Sequence, residues 1–196
     1  MIYTTEMILE KLVNYKSPAD KLARLVKNGK YIPIIRGLYE DNKNVSPHLL
    51  AASIYGPSYI SFEFALSYYG LIPERVETVT SASFEKKKKK TYKTLFGNFT
   101  FRDIPSKAFP YELRIVKDGD YYFRIASPEK ALCDKLYTIS PVANQNEMRD
   151  LLIEDLRIDI DELINLNSDI IKELSVLYHS TNVKKLAIFL RGLKNE

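Results

Sequence analysis

The sequence is poor in cysteine, histidine and tryptophan, which number one, two and none among 196 residues. The lone Cys133 excludes an internal disulfide and a metal site built from several cysteines. His48 and His179 lie far apart along the chain with no cysteine pair nearby, so the usual zinc-binding spacings are missing. No glycine-rich loop of the kind that cradles phosphates occurs either. We therefore expect a protein that is not an enzyme and that has no catalytic residues, no metal and no cofactor.

Long apolar runs are missing as well. Runs such as 32–35 and 49–54 are far shorter than the roughly 20 residues that a membrane-spanning helix requires. No charged and then apolar leader opens the chain, and a single cysteine is typical of a reducing compartment. We expect a soluble, cytoplasmic protein with no membrane contact.

Charge is distributed unevenly, although the net charge of the whole chain is only +4. Residues 1–44 carry eight Lys and Arg against five Asp and Glu, and residues 84–124 carry eleven against five. Residues 125–196 instead carry nine against twelve. This segregation favours a polyanionic partner for the front and middle of the chain, and solvent or a protein partner for the tail.

Periodicity and turn residues predict the fold class. The polar, turn-forming stretch 41–44 predicts a boundary, so that residues 1–44 form one module and residues 45–196 a larger one. Alternating patterns predict strands at 76–84, 94–103, 111–117 and 121–125. Amphipathic runs after residue 147 predict helices. We therefore predict an α+β protein with an N-terminal winged-helix-like module, a mostly antiparallel sheet with packed helices, and a helical C-terminal region.

Two helices in the larger module have well-marked ends. The Ser61 hydroxyl is predicted to cap a buried helix, and Gly70 to end it in the left-handed conformation. Ser127, followed by proline and glutamate, predicts the start of another helix, on which Lys130 and Asp134 form a pair four residues apart.

The first 40 residues predict two helices followed by a hairpin. Thr5 is expected to cap the first helix, and Ser17-Pro18 to open the second, whose outer face is basic. A two-stranded ribbon over 31–39 follows, with its turn near Arg36-Gly37. A helix fits the major groove and a wing reaches the adjacent backbone, so this winged-helix pattern is compatible with DNA binding. The predicted contact residues are Lys21, Arg24, Lys27, Lys30 and Arg36. The alternative is a solvated surface.

A lysine run lies between the first two predicted strands of the sheet. It consists of Lys86, Lys87, Lys88, Lys89 and Lys90. Five unpaired ammonium groups cannot be desolvated together, so the run must be exposed. It is either a solubility device or guard of an edge strand, or a phosphate contact without sequence preference.

Three stretches of the chain resemble motifs of one protein family. They are GPSYISFEFALSYYGLIPE at 56–74, GKYIPIIRGLY at 29–39 and ASPEKALCDKLY at 126–137. In sequence and order they resemble the signature helix, the wing-like hairpin and a helix start of the AbiEi-type antitoxins. Only two helices fit before the hairpin, whereas family members usually carry three.

The resemblance implies a function. AbiEi-type antitoxins are transcriptional regulators that bind promoter DNA, repress their own toxin–antitoxin operon and counteract a nucleotidyltransferase-type toxin without a stable complex. The larger module would carry the antitoxin activity. Because the N-terminal module is short by one helix, DNA binding would be weak or would require a homodimer on the DNA. Family members often carry arginines and lysines where the lysine run lies, so the resemblance favours a phosphate contact for that run. Two alternatives remain: direct neutralisation of a partner by the helical C-terminal region, and nucleic-acid binding without sequence preference through the lysine run.

Overall fold

The first 40 residues fold into two helices and a small three-stranded sheet. The computed structural model describes residues 1–194 of the chain. The first elements are β1 (Ile2–Thr4), α1 (Thr5–Lys11), α2 (Pro18–Lys27), β2 (Ile32–Ile35) and β3 (Leu38–Glu40), with β3 between the other two strands. The two helices and the hairpin agree with the prediction from sequence. The additional strand β1 was not predicted, because its three residues are too few to show an alternating pattern.

The start of α1 corrects one predicted cap. Thr4, not Thr5, is the N-cap, because the Thr4 hydroxyl accepts a hydrogen bond from the Met7 amide at 3.3 Å. Five side chains of this segment form a small apolar cluster of their own: Tyr3, Ile8, Leu12, Leu22 and Tyr31. Ile34 belongs instead to the main core, so the segment has its own cluster and also packs against the rest of the molecule.

A short 3₁₀ turn (Pro47–Leu50) and helix α3 (Ala51–Ile54) lead into the main sheet of six strands. The strands are β4 (Ser58–Ile60), β5 (Val79–Ser83), β6 (Lys90–Thr94), β7 (Gly97–Asp103), β8 (Leu113–Asp118) and β9 (Tyr121–Ala126). Their order in space is β6-β7-β5-β4-β9-β8.

This sheet is mixed, with antiparallel pairs in the majority as predicted and two parallel pairs that were not predicted. Three neighbouring pairs are antiparallel, but β5 with β7 and β4 with β9 are parallel. The tight turn after β6 folds β7 back between β6 and β5, which makes β7 parallel to β5.

Helices cover the sheet and form the rest of the chain. They are α4 (Phe62–Tyr68), α5 (Pro128–Tyr137), α6 (Gln145–Asp150) with a following π-helical turn (Leu151–Asp155), α7 (Ile160–Asn165), α8 (Ser168–Tyr178) and α9 (Thr181–Leu193). The helical C-terminal region is therefore as predicted. Within residues 1–194, none of the helices has the length and apolar character needed to cross a bilayer.

The two ends of α4 differ in how well they were predicted: the end of the helix is as predicted, and its start is not. Gly70 has a φ of 73° and donates to the Ser67 carbonyl, while the Leu71 amide donates to the Leu66 carbonyl, a Schellman ending as predicted. At the start, however, the Ser61 hydroxyl makes no cap. The Phe64 amide donates to the Thr80 hydroxyl of β5 at 3.0 Å instead. The predicted cap is wrong because Ser61 is committed to a buried carboxylate.

Candidate nucleic-acid interface

The basic residues of the N-terminal segment lie on α2, just after it, and at the turn of the hairpin. Arg24, Lys27, Lys30 and Arg36 are exposed, as predicted. Lys30 precedes β2 and Arg36 follows it, so a strand of about 3.3 Å per residue separates them by at most about 20 Å. Lys21 departs from the prediction, because it is half-buried with its ammonium 4.7 Å from the Tyr15 ring.

The lysine run connects β5 to the edge strand β6. Lys87, Lys88 and Lys89 are exposed as predicted, but Lys86 and Lys90 are half-buried. The Lys86 ammonium lies 5.2 Å from the Tyr55 ring, and Lys90 is the first residue of β6. The expectation of full exposure is therefore wrong at both ends, where the aliphatic stems pack against the protein.

Asp103, at the end of β7, holds the base of this loop. Its carboxylate accepts a hydrogen bond from the Ser83 hydroxyl at 2.5 Å and another from the Lys87 amide. The Ser106 hydroxyl donates to Glu85 at 2.8 Å on the other side of the loop. The exposed ammonium groups consequently project from an anchored base.

Strand pairing brings this loop and the N-terminal segment to the same end of the sheet. Lys90 pairs opposite Phe101 near the end of β7, Ser83 ends β5 opposite Asp103, and Ser58 begins β4 opposite Ser83. Because β9 runs parallel to β4, its first residue also lies at this end.

The N-terminal segment contacts the main sheet at that first residue of β9. The Tyr121 hydroxyl donates to Glu40 Oε1 at 2.9 Å, and Glu40 is fully buried. Burial and the neighbouring Glu40 carboxylate raise the pKa of Tyr121, so the hydroxyl remains a donor. Four strand spacings of about 4.8 Å separate β9 from β6, which places the lysine run about 19 Å from this contact.

The ten predicted contact residues share one electrostatic property. Across residues 1–194, none of these lysines and arginines forms a salt bridge. Cations without a protein counter-ion keep their charge available for phosphates. Both groups of cations are therefore suited to binding a polyanion.

A buried polar network contains the predicted Lys130–Asp134 pair, but neither its burial nor its hydroxyl partners were predicted from sequence. Lys130 and Asp134 are both fully buried, with Nζ 3.2 Å from Oδ1. Asp134 Oδ2 accepts hydrogen bonds from the Tyr59 hydroxyl at 3.0 Å and the Ser61 hydroxyl at 2.5 Å. The Tyr178 hydroxyl donates to Asp134 Oδ1 and accepts from Lys130. The carboxylate is thus surrounded by four donors.

Burial shifts the acid–base properties of this network. It lowers the pKa of Lys130, an effect that the Asp134 charge only partly offsets. Burial, reinforced by the same carboxylate, raises the pKa values of Tyr59 and Tyr178. Burial also raises the pKa of Cys133, which behaves as a small apolar side chain. No exposed atom of the network is available to a substrate, so its arrangement is structural.

A second polar contact, nearer the surface, joins α4 to α5 and to β7. Glu63 on α4 accepts a hydrogen bond from Lys135 on α5 at 2.7 Å and pairs with Arg102 on β7 at 3.1 Å. Burial opposes ionisation of Glu63, but Lys135 and Arg102 outweigh it and hold its pKa below the usual value. Tyr59, Ser61 and Glu63 come from the stretch 56–74, whereas Lys130, Asp134 and Lys135 come from 126–137.

Two of the three stretches on which the family resemblance rests therefore meet in space, through one buried network and one half-buried ion pair. The third contributes the β2–β3 hairpin. Comparison of the whole chain with protein-family models and with curated proteins found no match to either.

Proposed function

We propose that the protein is an antitoxin-like transcriptional regulator that binds its own promoter DNA and represses a toxin–antitoxin operon. The observation that carries this proposal is that ten basic side chains, five in the N-terminal segment and five in the lysine run, form no salt bridge within residues 1–194. In this proposal the N-terminal segment acts as a winged-helix-like module: α2 enters the major groove and the β2–β3 turn, with Arg36, reaches the backbone. The lysine run adds contacts to phosphates.

The separation of the two basic groups is compatible with a single duplex. The lysine run lies about 19 Å from the place where the N-terminal segment meets the sheet. One turn of DNA is about 34 Å long, which exceeds this distance, and we propose that both basic groups contact the same duplex.

The second half of the proposal is that the protein counteracts a nucleotidyltransferase-type toxin. Its support is the resemblance of the three stretches, two of which are joined in the buried network. The network organises the larger module, residues 45–196, which we propose to carry the antitoxin activity.

One observation favours direct binding of a protein partner as a second candidate. A shallow apolar cleft of about 350 Å³ lies between α8 and the start of β8, lined by Tyr111, Ile170 and Leu177 and by the acids Glu112 and Glu173. Val176, on the same helix, is 67% exposed. Co-purification of the tagged protein with its toxin would distinguish the two, because direct neutralisation requires a stable complex and the first proposal does not.

We expect the protein to bind DNA from its own promoter about 10³-fold more tightly than random DNA of equal length, the lower end of the usual range for specific binding. Electrophoretic mobility shift at physiological salt is the measurement. Equal binding of the two sequences would disprove specific repression and leave only the phosphate-driven alternative.

Replacing Lys86 through Lys90 with serine is expected to weaken binding to every DNA sequence alike. Each lost phosphate contact should reduce the slope of log affinity against log salt by about 0.9. The matched control replaces Lys172 and Lys184, exposed lysines of the C-terminal helices, and should leave the slope unchanged. An unchanged slope in the run variant would show that the run is only a solvated loop.

A further inference from the structure

The outward face of the β8–β9 hairpin carries side chains that core packing does not explain. Lys117 lies directly opposite Tyr122, and Ile115 directly opposite Arg124. Directly opposed residues of an antiparallel pair share one face, so these four side chains form a single patch. All four are exposed, Ile115 at 70% and Tyr122 at 66%.

The patch combines an aromatic ring with free cations. The Lys117 ammonium lies 5.9 Å from the Tyr122 ring. Neither Lys117 nor Arg124 forms a salt bridge in the part of the chain that the structure describes. An exposed ring that can stack on a base, next to cations that can meet the flanking phosphates, is the combination found in proteins that bind single strands.

A cleft adjoins the same ring. It has a volume of about 480 Å³ and lies between β1 and the hairpin turn, where Ile2, Tyr121 and Tyr122 provide apolar walls. Asp120 also lines it, and a carboxylate accepts hydrogen bonds from the exocyclic amino group of a base such as cytosine. The volume lies within the range of small-molecule sites and is large enough for a base.

We propose that this face binds single-stranded nucleic acid, with one base stacked on Tyr122 at the cleft and its phosphates at Lys117 and Arg124. A duplex cannot bind in this way, because its bases are already stacked on one another. The site goes beyond operator binding and does not depend on it, since it shares no residue with α2, the β2–β3 turn or the lysine run.

The test is fluorescence anisotropy with labelled 12-nucleotide strands, oligo-dC and oligo-rC, whose bases carry the exocyclic amino group, and a labelled duplex. Tyr122→Ala should lower affinity for single strands by about five- to 160-fold, the range for loss of one stacking residue, and leave duplex affinity unchanged. Tyr122→Phe, which keeps the ring, should bind as wild type. Arg124→Gln should reduce the slope of log affinity against log salt concentration by about 0.7, the value per phosphate contact in a single strand.

Tyr111→Ala is the matched control, because Tyr111 is also exposed, at 53%, but lines the acidic cleft beside α8. This variant should bind the DNA strand and the RNA strand as tightly as the wild type does. The ratio of the two wild-type affinities shows whether RNA or DNA is preferred. Wild-type protein that binds neither strand would overturn the proposal. So would single-strand binding that survives both Tyr122→Ala and Arg124→Gln, and the face would then fit a protein partner better.

Discussion

Asp134→Ala is expected to lower the free energy of unfolding by about 3–5 kcal/mol, a large part of the stability of a domain of this size. The substitution leaves Lys130 buried without its partner and removes the acceptor for three hydroxyl groups. An unpaired buried charge costs far more than the pair contributes, because its desolvation is no longer offset. Urea denaturation followed by circular dichroism would measure the change.

Two further variants separate this mechanism from a general effect of losing an acid. Asp155→Ala removes an exposed carboxylate and should change stability by less than about 0.5 kcal/mol. Lys130→Met combined with Asp134→Leu should be more stable than Asp134→Ala alone, because no unpaired charge remains. If the free energy of unfolding of Asp134→Ala lies within about 1 kcal/mol of the wild-type value, the network does not hold the larger module together.

Combined replacement of Arg24, Lys27 and Arg36 with glutamine is expected to abolish repression while leaving protection against the toxin intact. Side chains that contact DNA contribute about 1–3 kcal/mol each, so the three together should cost a factor of more than about 100 in operator affinity. All three are exposed, and the fold should not change. A promoter fusion measures repression, and growth during toxin expression measures protection.

Substitution in the intact chain tests whether repression and protection belong to different modules more directly than deletion of residues 1–44 does. Removing residues 1–44 would also remove Ile34 from the main core and the Glu40 carboxylate from Tyr121. Lys16→Gln with Lys43→Gln, exposed cations outside α2 and the turn, is the control and should repress normally. A triple variant that folds but fails to protect would place antitoxin activity in the N-terminal segment.

Local chemistry explains which parts of the fold were predictable from sequence. The ending of α4 depends on Gly70, and the turn between β8 and β9 on Asp118 and Gly119, so a few neighbouring residues determine each. Strand β4 was missed because its three residues are fixed by pairing with β5 and β9, far away in sequence. The parallel pairs escaped prediction for the same reason.

The difference between local and long-range determinants also explains which features of the candidate interface and the buried network could be predicted. Exposure of residues such as Lys88 and Lys89 could be predicted, because a cluster of charges cannot be desolvated. The burial of Lys130 and Asp134 could not, because it depends on hydroxyl groups 44 to 75 residues away. One signal was present: residues 131–133 and 136 are apolar, and a helix apolar on most sides leaves little solvated face for a charged pair.

The buried network also bears on the order in which the molecule folds. Its donors come from β4, the start of α4, α5 and α8, and Asp134 is shielded from water only when all four are in place. Contacts between such distant segments form after local helices and hairpins, since chain closure must be completed first. If the network forms late in folding, Asp134→Ala should raise the unfolding rate more than it lowers the folding rate, so the network would lengthen the lifetime of the native state.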